Sequence, residues 1–357
     1  MKKKHNFYAG PAILPAEVIK EAAQGVLDIN NSGLSILEIS HRDKDFINIM
    51  EEARGLVKEL MGLGDDYKVL FLGGGASLQF DMVPYNLLAN GGTAAYVNTG
   101  VWASKAIKEA KGVGNVNVIA SSEDKKFSYV PKNYTIPADA NYLHITSNNT
   151  IYGTQIHKFP DCPIPLVCDM SSDIFSKRTD FSKFSLIYAG AQKNMGAAGA
   201  TMVIVKESIL GKTGRKMLSM LDYQVHIKAE SMYNTPPVFS VYVSLLTLRW
   251  LKANGGLAWI EDINRKKAEL FYTEVDRNSL FTGTVVKEDR SWMNANFLLN
   301  KPELEESFNK TWKEAGIVGL KGHRDVGGYR ASMYNALTLE DVQVLVDVMK
   351  DFEKKNG

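Results

Sequence analysis

Apolar and polar positions follow two rhythms along this chain. Residues 17–27 and 46–61 repeat apolar side chains three and four positions apart, which predicts amphipathic helices. Short apolar segments, most of them continuously apolar, recur at 69–72, 94–98, 116–120, 142–146, 165–168, 186–189 and 201–205. Runs of that length and character are expected as strands covered on both faces. Helical patterns such as residues 103–111 separate several of them. Strands alternating with helices imply crossover connections, so the expected fold is α/β, with a large domain built on a mainly parallel seven-stranded sheet.

The last third of the chain changes rhythm. Residues 241–253 follow Pro236 and Pro237, repeat Val241, Leu245 and Leu248 at helical spacing, and stop before Gly255 and Gly256. Beyond that stop, helices are expected at 262–275, 303–315 and 340–352 and a strand at 294–299, giving a smaller C-terminal α/β domain. A chain of 357 residues exceeds the size at which one core stops growing, which also predicts two domains. The expected division is an N-terminal segment 1–16 packing with the small domain, a large domain 17–255 and a small domain 256–357.

Composition narrows the partners. Apolar residues make up 45% and charged residues 23%, ordinary for a globular chain, and the net charge of +2 gives no field for nucleic acid or a membrane surface. Met1–Lys4 is basic, but residues 7–15 supply no continuous apolar stretch after it, so a cytoplasmic protein acting on small molecules is expected. Cys162 and Cys168 form no CxxC pair and join no histidine cluster, so they read as buried small hydrophobes and no metal is expected.

Chemistry-bearing residues fall just beyond the strands. Lys193 follows an apolar strand in Ala189-Gly-Ala-Gln-Lys193-Asn-Met-Gly, where small neighbours leave room for a flat ligand; a desolvated lysine there would attack a carbonyl. Alone it reads more readily as an ordinary surface-loop lysine. The strand at 69–72 runs into Gly73-Gly-Gly-Ala76-Ser77 and a helix start, an arrangement that presents backbone N–H groups and a helix dipole to a phosphate, although a plain tight turn has the same residues. Asp169 lies at another strand end and suits either a pyridine nitrogen or a helix cap. Trp102 could stack on an aromatic ring or pack in the core, and Thr150 could bond a ring hydroxyl. Together these positions point to pyridoxal phosphate held on Lys193. A Rossmann dehydrogenase is disfavoured because Leu78 stands where the third glycine belongs.

The chain resembles the phosphoserine aminotransferase family, within the class-V, fold-type I pyridoxal-phosphate enzymes, in Gly10-Pro-Ala-Ile-Leu-Pro15, Ser40-His-Arg42, Gly73–Phe80, Ala189–Asn194, Tyr233-Asn-Thr-Pro-Pro237 and Gly322–Ser332. The resemblance implies Lys193 as the Schiff-base lysine and general base, Ala76, Ser77 and Gln192 on the cofactor phosphate, Trp102 stacked, Thr150 on the ring oxygen and Asp169 on the ring nitrogen. It further implies that Asn234 and Thr235 reach the phosphate from a second subunit, which makes the active protein a homodimer with shared sites. Arg330 would clamp the substrate α-carboxylate, while His41, Arg42, His323 and Arg324 hold a phosphate or a second carboxylate. Ala197 departs from the proline usual after Gly196. The implied reaction is ping-pong amino transfer between L-glutamate and 3-phosphohydroxypyruvate in serine biosynthesis, with 4-phosphohydroxy-L-threonine of pyridoxine biosynthesis as a further substrate. Another fold-type I enzyme, a lyase or an aminotransferase of different substrate, is the alternative.

Overall fold

The computed structural model describes residues 4–357, so the first three residues of the N-terminal segment lie outside the described residues. In chain order the strands are β1 (His5–Asn6), β2 (Tyr67–Leu72), β3 (Thr93–Asn98), β4 (Asn115–Ser121), β5 (Leu143–Thr146), β6 (Leu166–Asp169), β7 (Leu186–Gly190), β8 (Thr201–Lys206), β9 (Phe281–Gly283), β10 (Asn294–Leu299), β11 (Ile317–Val318) and β12 (Tyr329–Ser332). The large sheet has seven strands in the order β2-β8-β7-β6-β5-β3-β4. Only β8 runs against its neighbours β2 and β7; the remaining pairs are parallel. Six strands therefore end on one edge of the sheet.

Both faces of this sheet are covered at its central strands, which explains their apolar character, whereas β4 at the edge, expected to be covered as well, has no buried residue. Ile145, Cys168 and Ile187 pack on one side with residues of helices Ala16–Leu27, Lys44–Met61 and Val238–Ala253. Leu70, Tyr188 and Val203 pack on the other with residues of helices Gly75–Leu87 and Val101–Val113. Helix Val238–Ala253 is buried along most of its length, as its apolar sequence requires. The strand expected to end at Cys168 runs one residue further, because the ladder continues to hold Asp169 against Thr146 and Tyr188.

A second core contains Phe271, Phe297, Phe308, Tyr329 and Phe352 around the three-stranded antiparallel sheet β12-β10-β9. Phe7, fully buried, belongs to it as well, and β1 pairs with β11 beside it. Burying that ring contributes roughly 2–3 kcal/mol to holding the N-terminal segment there. Gly255 at φ 106° and Gly256 at φ 66° make the turn between two helices, which suits glycine. The helix that follows, Gly256–Arg277, is longer than its periodicity suggests and lends Ile260 to the large core but Phe271 and Val275 to the small one.

Candidate active site

The chain leaves β2 through Gly73–Gly75 and enters helix Gly75–Leu87 with Gly74 at φ 90° and Gly75 at φ 68°. A side chain on Gly74 would meet Leu78 Cδ2 at 2.5 Å, so this turn needs glycine twice over. It aims the free amides of the first helical turn, with Ala76 and the exposed Ser77, outward from the sheet edge. Such a terminus favours an anion.

Trp102 sits in the first turn of helix Val101–Val113, beyond β3, and packs against the core on that side of the sheet. Its Nε1 is buried and has no partner among the described residues, while Lys105 Nζ lies 4.7 Å from the ring centroid. Asp169 closes β6; its carboxylate accepts from the Ser171 N–H at 2.9 Å. Burial raises the Asp169 pKa, opposed by the Ser171 hydrogen bonds and by Lys193.

Lys193 follows β7 by three residues and is half-buried. Its Nζ donates to Thr150 Oγ1 at 2.8 Å. Burial lowers its pKa to about 8, Asp169 and Asp173 oppose that shift, and the positive Arg330 reinforces it. An ordinary lysine amine is almost fully protonated at neutral pH; this shift enlarges the reactive neutral fraction by roughly two orders of magnitude.

Strand β12 carries Arg330, whose Nη1 donates to Thr150 O at 3.3 Å and whose Nε is buried without a partner among the described residues. The Gln192 carbonyl accepts from Ala12 N at 2.9 Å, which binds the N-terminal segment to the lysine loop. One chain thus brings together Lys193, Asp169, Thr150, Gln192 and Arg330. His323 and Arg324 lie on the exposed turn before β12, where both face Asp325. His41 and Arg42 open the helix Lys44–Met61; the Arg42 backbone N–H bonds Ser40 Oγ, and no described contact ties either side chain to Lys193. Asn234 and Thr235 are exposed, with the Asn234 amide bonded only to the Thr235 carbonyl.

Several polar residues missing from the sequence reading complete the site. Asn194 Oδ1 accepts from Asn335 N at 3.0 Å, and Asn264 Nδ2 donates to Asn335 Oδ1 at 2.9 Å. These amides join the lysine loop to helix Gly256–Arg277 and to the segment after β12. Ser147 Oγ bonds the Asp173 carboxylate, and Gln155 Nε2 donates to it at 3.1 Å. His144 stacks on Tyr96, bonds the Tyr188 hydroxyl at 2.8 Å and is held neutral, its pKa pushed by burial down to about 3. Asn194 stood within a motif quoted for its lysine; the others carried no local signal.

A lysine of depressed pKa that faces Asp169 and Arg330 equips a protein to move amino groups, and the chain belongs to the aminotransferase class-V family, whose family model matches residues 4–345. Within that class it is similar over its whole length to phosphoserine aminotransferases. The Flavobacterium psychrophilum protein of that name is 67% identical over 354 residues, 99% of each chain. A solved phosphoserine aminotransferase from Bacillus circulans subsp. alkalophilus is 45% identical, with a TM-score of 0.97 and 100% of both chains covered. A pyridoxal-phosphate-bound one from Trichomonas vaginalis is 35% identical with a TM-score of 0.92, covering 98% of this chain and 100% of the other.

Proposed function

We propose that the protein transfers the amino group of L-glutamate to 3-phosphohydroxypyruvate, giving O-phospho-L-serine and 2-oxoglutarate, with pyridoxal 5′-phosphate held on Lys193. The observation that carries this reading is the Lys193 amine, bonded to Thr150 and flanked by the charges of Asp169 and Arg330. Relatives of the same name over the full length support the substrate pair.

The residues present fit the cofactor. Trp102 offers a ring and a buried N–H without a partner, the Gly73–Ser77 turn offers amides for a phosphate, and Asp169 offers a buried carboxylate that a ring nitrogen would neutralise. When bound, the group supplies a carbonyl that captures the amine and a ring that draws electrons from the substrate Cα. Asp169 would hold a proton at the ring nitrogen, and Thr150 would hydrogen-bond the ring oxygen. Lys193 Nζ takes the proton from the substrate Cα, a task suited to an amine of pKa about 8. Arg330 orients the α-carboxylate through a guanidinium whose Nε still lacks a partner. His323 and Arg324, with His41 and Arg42, hold the substrate phosphate or the second carboxylate of glutamate.

A cytoplasmic homodimer belongs to the same reading, with Asn234 and Thr235 completing a partner's phosphate site; their exposure supports this. So does the division into segments 1–16, 17–255 and 256–357, supported by the separate apolar cores. The test is borohydride reduction of the protein with pyridoxal 5′-phosphate, followed by peptide mapping, alongside an amino-transfer assay with glutamate and 3-phosphohydroxypyruvate. Label on Lys193 and phosphate-dependent turnover are expected. Label elsewhere, or equal turnover of alanine, would refute the assignment.

A further inference from the structure

The turn that carries Thr150, between β5 and β6, is closed by its own backbone. Gly153 N donates to the Asn149 carbonyl at 2.7 Å, and Asn149 N donates to the Thr154 carbonyl at 2.8 Å. Its crest, Thr150 and Ile151, is buried, and three side-chain donors meet it there. Lys193 Nζ donates to Thr150 Oγ1 at 2.8 Å, Arg330 Nη1 to the Thr150 carbonyl at 3.3 Å and Asn296 Nδ2 to the Ile151 carbonyl at 2.6 Å. The backbone bonds shape the turn; the three donors fix where its crest stands.

Asn296 lies on β10 directly opposite Arg330 on β12. Paired residues of antiparallel strands share a face, with Cβ atoms about 4.5–5.5 Å apart, so one strand pair sends two donors side by side to two successive carbonyls. The turn comes close to β10 to receive them. A Cβ on Gly153, at φ 83°, would stand 2.9 Å from the Asn294 carbonyl oxygen and 3.3 Å from Asn296 Nδ2, so glycine is needed for both conformation and space.

The proposed reaction asks different things of the three donors. Lys193 Nζ is taken up by the cofactor carbonyl and moves a proton at the substrate Cα, and Arg330 turns to the substrate carboxylate. Asn296 is uncharged and buried, has neither task, and makes the shorter of the two carbonyl bonds. We propose that Asn296 is a positioning residue: it holds the crest of the Thr150 turn in place while Lys193 and Arg330 give up their bonds to it. The inference deepens the aminotransferase reading and rests on it for the tasks of Lys193 and Arg330.

Two consequences separate this role from a general contribution to folding. With Lys193 present, Asn296 is one support of three; without Lys193 it is one of two, so its loss then costs more. A substrate carboxylate must also draw Arg330 off a crest that lacks the Asn296 bond, so the penalty in a variant falls on substrate binding.

The experiment follows hydrogen exchange of the peptide covering residues 150–153, by mass spectrometry, in the full-length, cofactor-free chain, in a double-mutant cycle of Asn296→Ala and Lys193→Met. Asn296→Ala alone should speed exchange about threefold, and about tenfold or more in the Lys193→Met background, with the peptides of β6 and β7 unchanged. Unchanged exchange, or the same factor in both backgrounds, overturns the proposal. In the cofactor-loaded enzyme, Asn296→Ala should raise the KM for glutamate about tenfold and leave kcat within about threefold. A loss confined to kcat, as a smaller folded fraction would give, overturns it. If thermal melting shows Asn296→Ala unfolded, Asn296→Ser, whose hydroxyl stops one bond short of the Ile151 carbonyl, is judged by the same criteria. Exchange needs neither cofactor nor substrate. A wild-type chain that transfers no amino group would therefore refute the aminotransferase reading, while the exchange cycle still decides whether Asn296 holds the crest.

Discussion

Lys267 is the sharpest physical test of how the substrate-facing arm is held. Its side chain is completely buried in helix Gly256–Arg277, and its ammonium donates to the carbonyls of Met333, Tyr334 and Leu337 at 3.1, 2.8 and 2.9 Å. Burial lowers its pKa from 10.5 to about 7, with Asp341 opposing. The sign follows from proton counting. Above about pH 7 the folded chain loses a proton that the unfolded chain keeps until about pH 10, so stability rises with pH across that window, by about 1.4 kcal/mol per unit at most. The three carbonyls favour the charged form and reduce the shift, so between about pH 7 and pH 9 the gain is about 1–3 kcal/mol. Lys267→Met abolishes it. Lys193 titrates nearby in pH but is present in both proteins, so the difference between them isolates Lys267. Denaturant unfolding of wild type and Lys267→Met at the two pH values supplies the measurement. Parallel pH profiles would refute the assignment of a strained buried ammonium. Because one acceptor is the Tyr334 carbonyl, four residues from Arg330, the Met variant should also raise the KM for glutamate more than it lowers kcat.

Other changes separate the roles of the strand ends. Asp169→Asn keeps the volume but cannot hold a proton on a ring nitrogen, and amino transfer should fall by about 10²–10⁴-fold with the melting temperature within a few degrees of wild type; retained turnover would remove Asp169 from the chemistry. Gly74→Ala forces a side chain onto φ 90° and into Leu78 at 2.5 Å, so cofactor affinity measured by fluorescence quenching should drop about tenfold and stability by about 1–3 kcal/mol. Arg330→Gln should lower kcat/KM for glutamate by about 30-fold or more, the cost of leaving a carboxylate without its cation, with less effect on borohydride labelling of Lys193.

Legibility followed chemistry at strand ends and failed for networks across the chain. The central strands showed as apolar runs because helices cover both faces, whereas the edge strand β4 has no buried residue, and Asp169, Thr150 and Lys193 showed because each ends or closely follows a strand. Strands β9 and β12 have three and four residues, too brief for a period to register, so the small sheet was seen only through β10. Tyr334, Asn294 and Lys267 act on partners 325, 40 and 66–70 positions away. No local pattern encodes such a pairing. A buried lysine in a helix also reads as a surface residue until its three carbonyl acceptors are known.

The same distances explain why the site needs both cores. The sheet edge fixes Lys193, Asp169 and the Gly73–Ser77 turn, and strand ladders leave that half little freedom. Arg330 arrives on β12, beside the second core, and reaches the first half at Thr150, whose carbonyl accepts from its Nη1. Asn335 adds a bond to Asn194, next to the lysine, and Ala12 N adds one to Gln192 on its other side. A displacement of the small core would therefore pull on both neighbours of Lys193 and on its hydrogen-bond acceptor together. A substrate carboxylate held at Arg330, as proposed, would then be coupled to the charge on Lys193 through the hydrogen bonds that meet at Thr150, and salt should change substrate affinity more than it changes the pH midpoint of Lys193 acetylation.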